Sequence, residues 1–541
     1  MLVPEGEYLI GRSITLDAHM RFTGRISDAS PGRIAFTANY NYDTYLQAFQ
    51  DEQVALERAL QALYGFTDHT DLDLCGRSIA LSRPIDVHAE VGDRDTFGVR
   101  RVIHNGQLSA SSSSDWDVGM SSSTASYDAA VDQLKLTNVT NIAAVERGSL
   151  VQGTGVGREI YVREVDIPNA TITLSQPLYA APASQTYTFT RFRYMLDFSG
   201  FTSIQRQCLR QIEFNCGRRA SALMLGRAGI AWHIEHCWFV RPKDRGITSI
   251  GEGCNGISIE SNEFISPETD LNVEDRTAIA VNTNKNDMKI RNNRVVQFLH
   301  FAVIAGGGHL LVGNHWWQGD GVVENAARSA GVIFCNRNVK TTMVGNYCDN
   351  AFIELTDEYN ANSSSNRAYG ALTITGNIFT ASSIPNWFTY IRLAPIGPDQ
   401  EIDGITVTDN SFKTIGGDFM DRVESVDDDR GSFDHARTVN VTFTGNLYEQ
   451  IGTRTASPLL VTGFNLFPST TWNILTSGRL PFGGRAMRVQ SIAPVSTLSG
   501  WDGRMPQVAL QQQTDGSGVS LTWQDSIAGE ILVTVRSDLP S

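Results

Sequence analysis

The segment Ile257-Ser258-Ile259-Glu260-Ser261-Asn262-Glu263-Phe264 carries a pattern of alternating apolar residues, an asparagine three places on, and a further apolar residue two places beyond it. The pattern returns as MKIRNNRV (288–295), HLLVGNHW (309–316), TTMVGNYC (341–348), LTITGNIF (372–379), ITVTDNSF (405–412) and VTFTGNLY (441–448). The asparagines are Asn262, Asn293, Asn314, Asn346, Asn377, Asn410 and Asn446, spaced 31, 21, 32, 31, 33 and 36 residues apart. A weaker copy, WHIEHCWF (232–239), has Cys237 in the asparagine's place. Alternation at period two makes a short strand with one inward face, and Asn or Gly-Asn ends it in a bend where a left-handed backbone is cheap. Second apolar runs lie between the copies, including TAIAV (277–281), AGVIF (330–334) and FIEL (352–355), so each period holds at least two strands. Such a chain buries its apolar face by stacking coil upon coil, which predicts a β-solenoid. Coils about 4.8 Å apart would let the asparagine amides hydrogen-bond up the stack. A sandwich or propeller also alternates, but it does not repeat one asparagine position so often.

Upstream, Gly11-Arg12-Ser13-Ile14-Thr15-Leu16 matches Gly76-Arg77-Ser78-Ile79-Ala80-Leu81, and each opens a strand pair that could begin a solenoid. Between them, DTYLQAFQDEQVALERALQALYG (43–65) spaces its apolar residues by three and four. This predicts one helix with Asp43 as N-cap and Gly65 as stop, placed to cap the raw end of the solenoid. The Ser/Gly-rich stretch 107–127 reads as a loop or linker, and the segment to about residue 192 as a small β insert. The repeat stops after Asn446, and the remainder reads as a terminal β domain. The expected layout is cap and first coils over 1–106, linker and insert over 107–192, main helix over 193–452 and C-terminal β domain over 453–541.

Composition excludes other classes. A formal charge of −14 argues against nucleic acid as main partner, because that affinity comes from cations neutralising phosphates. No apolar run reaches the roughly eighteen residues of a membrane span. Seven cysteines without a CxxC pair indicate neither a disulfide framework nor a thiolate zinc site and read as buried thiols. His300, His309 and His315 share no zinc-binding spacing, and no metal or cofactor is expected. The start, MLVPEGEY, lacks the basic-then-apolar pattern of a signal peptide.

The opening VPEGEYLIGRSITL, the helix containing DEQVALERALQAL and the asparagine-ended coils resemble the pectate-lyase-like right-handed parallel β-helix superfamily. Within it, the plan is similar to phage tailspikes and glycosyl-hydrolase-related proteins. The resemblance covers roughly residues 1–106 and 193–450. It implies an all-β fold, a right-handed parallel β-helix with an N-terminal capping helix, a small inserted β domain and a C-terminal β domain. It also implies a homotrimer, an extracellular or virion location, and a surface or extracellular polysaccharide as partner. The implied activity is that of a polysaccharide depolymerase, either lyase or glycoside hydrolase. A non-catalytic glycan-binding adhesin or tail structural protein is the alternative, and an epimerase a third reading. Two subfamily signatures do not carry over. Asn282-Thr283-Asn284 has asparagine where polygalacturonase-type enzymes have aspartate, and Trp232-His233-Ile234-Glu235-His236 is similar to the pectate-lyase WIDH element only with an insertion and Glu for Asp.

The repeat also predicts which side chains face outward: the residue after each asparagine, and the one two places further on. Arg294, His315 and Tyr347, with Trp317 and Asp349, then fall on three consecutive coils within about 10 Å of one another. A lyase acting on uronates needs a cation for the carboxylate, a base for the C5 proton and an acid for the leaving oxygen, roles open to arginine, histidine and tyrosine. Trp317 would stack on a pyranose face. A hydrolase needs two carboxyls, about 5 Å apart for retention or roughly 6.5–9.5 Å for inversion. Asp320 with Glu354 or Asp349 is the preferred pair, Glu354 standing outward between inward Ile353 and Leu355; Asp357 and Glu358 are further carboxyls nearby. Arg276 and Arg328 are candidate substrate contacts. Asp244-Arg245 with Asp275-Arg276 reads either as sugar contacts or as a stacked salt-bridge ladder.

Overall fold

The structure is a computed structural model and describes residues 1–65, 67–319, 327–361, 368–513 and 516–539. It comprises two compact units, Met1–Gly319 and Asp320–Ser541.

In the first unit the repeated strands pair in parallel and in register. Ser258–Glu260 lies between His233–Glu235 and Lys289–Arg291, and Glu263–Ile265 lies between Trp238–Val240 and Arg294–Val296. A third strand of each coil builds a separate parallel ladder through Arg245–Thr248, Ile279–Thr283 and His300–Ile304. The second unit repeats this plan. Ala368–Thr375, Glu401–Thr408 and Val439–Thr444 form one ladder, Tyr347–Asp349, Ile378–Ala381, Ser411–Thr414 and Leu447–Glu449 another, and Ala330–Phe334, Phe352–Thr356, Ile391–Ala394 and Glu424–Val426 the third. Each unit is therefore built on a parallel β-helix, the solenoid implied by the repeat.

The asparagines form ladders inside both units. In the first, the Asn262 backbone N–H and Nδ2 both donate to Asn293 Oδ1 at 3.0 Å, and those of Asn293 donate to Asn314 Oδ1 at 3.1 and 3.0 Å. In the second, Asn346 donates to Asn377 in the same way, Asn377 to Asn410, and Asn410 to Asn446, all within 2.9–3.0 Å. Each of Asn262, Asn293, Asn314, Asn377, Asn410 and Asn446 also donates from Nδ2 to a backbone carbonyl of a preceding coil, so these buried amides are satisfied by one another and the main chain. The left-handed residue sits one place before the ladder asparagine, at Ser261, Asn292, Gly313, Gly345, Gly376, Asp409 and Gly445. That explains the frequent Gly-Asn: glycine makes the bend and asparagine turns inward. Two places further, Phe214, Phe239 and Phe264 stack with centroids 5.0 and 4.5 Å apart, and Phe379 stacks on Phe412 at 4.9 Å.

Two expectations are corrected. The single helix over 43–65 is two, Tyr42–Phe49 and Glu52–Gly65, because Gln50 turns left-handed at φ 59°. Asn41, and not Asp43, is the N-cap, accepting from Thr44 N–H at 3.0 Å, while Asp43 pairs with Arg77 at 2.7 Å. The supposed linker contains the strand Gly119–Tyr127, which pairs antiparallel with Ser184–Arg191 in a six-stranded sheet. Serine-rich composition suggested a loop, yet alternate residues Ser123, Ala125 and Tyr127 are buried by the partner strands, and tertiary pairing overrides the local signal.

This sheet is anchored to the first unit's helix by a buried ion pair, Arg245 to Glu159 at 2.7 Å, with Tyr161 donating to the same carboxylate at 2.6 Å. In the second unit, four antiparallel strands, Leu459–Leu475, Arg488–Pro494, Gln507–Gln513 and Gly516–Arg536, enclose a core that includes Trp472 and Trp523. Two buried carboxylates join this sheet to the last coil. Glu424 accepts from Phe482 N–H at 3.2 Å and Thr455 Oγ1 at 2.9 Å, and Asp538 accepts from Val441 N–H at 3.0 Å and Arg536 Nε at 2.8 Å. The described cysteines are all free, six of them buried. No helix among the described residues is long and apolar enough to cross a membrane.

Candidate functional site

The strand register places the outward side chains in rows. In the first unit one row reads Glu213, Trp238, Glu263, Arg294, His315, each in register with the next. Arg294 and Glu263 pair at 3.5 Å, and in the adjoining row Arg291 and Glu260 pair at 2.6 Å. Burial, then the neighbouring Arg294 charge, hold the His315 imidazole below its ordinary pKa, opposed by Glu263. Trp317 stands in register with Val296, half-buried. His309 is buried, and burial pushes it down to about 4, which makes it a core residue.

In the second unit Tyr347 and Asp349 share the coil below Ile378 and Thr380. The Thr380 hydroxyl lies 2.9 Å from Asp349 Oδ1 and 3.3 Å from the Tyr347 hydroxyl. Of the five residues expected on consecutive coils, Arg294, His315 and Trp317 belong to the first unit and Tyr347 and Asp349 to the second. Asp320 lies outside the described residues.

Three arginine readings are corrected. Arg276 is only 5% exposed and donates to the carbonyls of Leu271 and Gln318. Arg328 is likewise buried and donates to the Ser382 carbonyl. Arg245 binds Glu159 of the inserted sheet, so no ladder links it to Asp275. All three are long donors drawn inward to satisfy carbonyls or a buried carboxylate. Asp357 is also internal, accepting from Ile396 N–H at 2.7 Å, Gly397 N–H at 3.1 Å and Tyr369 OH at 3.1 Å.

Glu354 stands between the fully buried Ile353 and Leu355, on the opposite face of its strand, and is 8% exposed. The register sets Arg392 directly above it on the next coil, and Ser425 above Arg392. Arg392 forms an ion pair with Asp427. Its guanidinium also lies 5.2 Å from the ring centroid of Trp387, whose edge meets Phe352 at 5.9 Å. Trp387 is 48% exposed, unusual for a residue of that apolar area. Beside it, the hydroxyls of buried Thr389 and half-buried Ser425 lie 2.7 Å apart. One unit thus brings together an exposed indole, a cation over it, hydroxyls and two carboxyls on either side of that cation. The sequence reading found Glu354 and missed Trp387, Arg392 and Asp427. The available signal was an arginine breaking the apolar run FTYIRL, at the position where glutamate breaks FIELT. Among the described residues no cluster of three or more metal-ligating side chains occurs.

No family model matches this sequence, and no curated protein matches it. Among solved structures, the tailspike protein gp49 from Pseudomonas phage LKA1 is similar at 11% identity, with 90% of this chain and 93% of that chain covered and a TM-score of 0.37. A mutant tailspike protein of E. coli bacteriophage HK620 is similar at 11% identity, covering 90% of both chains, with a TM-score of 0.38. Another mutant of that tailspike, in complex with a pentasaccharide, aligns at 11% identity over 90% of both chains with a TM-score of 0.35.

Proposed function

We propose that this protein binds a surface or extracellular polysaccharide along its β-helix and hydrolyses it beside Trp387. The carrying observation is the exposed Trp387 indole with Arg392 over it and Glu354 and Asp427 to either side. An indole face stacks on the C–H face of a pyranose, and a guanidinium beside it binds sugar hydroxyls or carboxylates. The register sets Ser425 two coil steps over Glu354, and Asp427 lies two residues further along, which puts the Glu354 and Asp427 backbones roughly 12 Å apart at about 4.8 Å per step and 3.3 Å per residue. Side chains converging on one bond across that gap suit the roughly 6.5–9.5 Å carboxyl spacing of inverting glycosidases and not the roughly 5 Å of retaining ones. Glu354, the more buried carboxyl, donates its proton to the glycosidic oxygen as the C–O bond breaks. Asp427 takes a proton from the water that attacks the anomeric carbon from the opposite face.

A lyase reading has its own support in the first unit, where His315, held below its ordinary pKa, stands beside Arg294 as a neutral base next to a cation. Incubation with bacterial exopolysaccharides separates the two: new reducing ends without absorbance near 235 nm are expected here, and unsaturated products absorbing there would favour the lyase. Neither product would leave a glycan-binding adhesin.

The proposal extends to a homotrimer on the virion or outside the cell. The terminal sheet supports self-association through its outward Leu460, Phe464, Leu466 and Phe467, which are 55–78% exposed. Light scattering is expected to return three times the chain mass of 59.4 kDa.

A further inference from the structure

We propose that the first unit carries a second saccharide site, separate from the Trp387 surface, that takes a single acidic sugar residue through its carboxylate. The site is a cleft of about 240 Å³ lined by Arg218, Lys243, Pro267, Glu268, Asp270 and Leu271. A cavity somewhat smaller than the roughly 300–1,000 Å³ typical of drug-sized ligands suits one ring, not a chain of them.

One wall is fixed from beneath. The Glu268 carboxylate accepts from Thr277 N–H at 2.9 Å, Thr277 Oγ1 at 2.9 Å and Ala278 N–H at 2.8 Å, while buried Arg276 holds the Leu271 carbonyl at 3.0 Å. A loop pinned in this way loses little freedom when a ligand enters.

The charges of the cleft have separate duties. Glu268 is committed to its own loop, and Asp270 is paired with Arg218 at 3.1 Å. Lys243 follows Trp238–Val240 by three residues and, among the described residues, takes part in no ion pair. Its ammonium is the group placed to receive an anion, with Asp270 available to accept from sugar hydroxyls and Leu271, 44% exposed, offering an apolar face to the ring. Trp238, 49% exposed, lies five residues before Lys243, at most about 17 Å of extended chain away. It is a platform for a neighbouring sugar of the same polymer. This inference rests on the partner being a glycan and adds its acidic character and a point of attachment built from residues of the first unit, none of them the cleavage residues.

Ligand-observed saturation-transfer NMR on the full chain tests it, with glucuronate, glucose and inorganic sulfate as probes. Glucuronate is expected to bind saturably and more tightly than glucose. Lys243→Ala should weaken it at least fivefold, and Lys243→Arg should retain it. Equal glucuronate affinity in the wild type and Lys243→Ala, or no saturation at all, overturns the proposal. So does displacement of glucuronate by an equal concentration of sulfate, which would mark a site that reads charge and not a sugar. Lys243→Ala is expected to release reducing ends from short oligosaccharides at the wild-type rate. Lys243-dependent glucuronate binding in a protein that cleaves nothing would therefore sink the hydrolase reading alone, and cleavage without such binding would sink this one alone.

Discussion

Around the strand Ile378–Ala381, Asn377 and Phe379 repeat residues found at the same positions on other coils, whereas Ile378 and Thr380 between and beyond them do not. The inward row runs Asn346, Asn377, Asn410, Asn446, each amide bonded to the next; the outward row beside it runs Tyr347, Ile378, Ser411, Leu447. Every inward asparagine must satisfy the coil before it, so the same residue recurs. An outward side chain has no such obligation, and its identity is free to serve a ligand at one coil and nothing at the next. Periodicity therefore reports the fold, and departures from it within the outward rows report function.

The sharpest way to break this contrast is Asn377→Ala. It removes the buried acceptor that takes both the backbone N–H and the Nδ2 of Asn346. A loss of about 3 kcal/mol or more is expected in urea unfolding. A loss below about 0.5 kcal/mol would mean that the ladder does not hold the coils. Next comes Glu354→Gln, which should lower cleavage more than a hundredfold, about 2.7 kcal/mol in the barrier, with unfolding and glycan binding unchanged. A smaller loss would move the proton donor elsewhere. Trp387→Ala should weaken glycan binding about tenfold, roughly 1.4 kcal/mol, while leaving stability within about 0.5 kcal/mol.

The smallest effect concerns pH. Burial alone would raise the Asp538 pKa, but the hydrogen bond and charge of Arg536 and the Val441 N–H hold it below its usual 3.8. Its folded pKa is thus below its unfolded one, so its stabilisation is complete above the unfolded value and disappears as pH falls through the folded value. Acid unfolding below about pH 4 should become less steep in Asp538→Asn. An unchanged acid limb would show that the carboxylate does not secure the terminal sheet.

The solenoid was legible because seven asparagines recur with their apolar partners, and the outward register followed from simple alternation. Less could be read where one residue's meaning depends on a distant partner. Arg276 and Arg328 read as surface cations because nothing local says that a carbonyl elsewhere will take them inside. The serine-rich strand Gly119–Tyr127 lacked any sign of the strand Ser184–Arg191 that pairs with it. Gln50 breaks the expected helix with a residue that is no helix breaker by propensity. At the candidate site, Glu354 was visible as a carboxyl on the strand face opposite Ile353 and Leu355, although it is buried to 8% exposure and does not stand out in solvent. Its relation to Arg392, Trp387 and Asp427 needed the register that brings residues nearly forty places apart into adjacent coils.

The most direct test is the structure of Glu354→Gln crystallised with an oligosaccharide of the polymer that the wild type degrades. A sugar ring stacked on the Trp387 indole, with its glycosidic oxygen within hydrogen-bond reach of residue 354, is the expected result. A saccharide bound in the second unit away from Trp387, or none bound there at concentrations that saturate the wild type, would contradict the account.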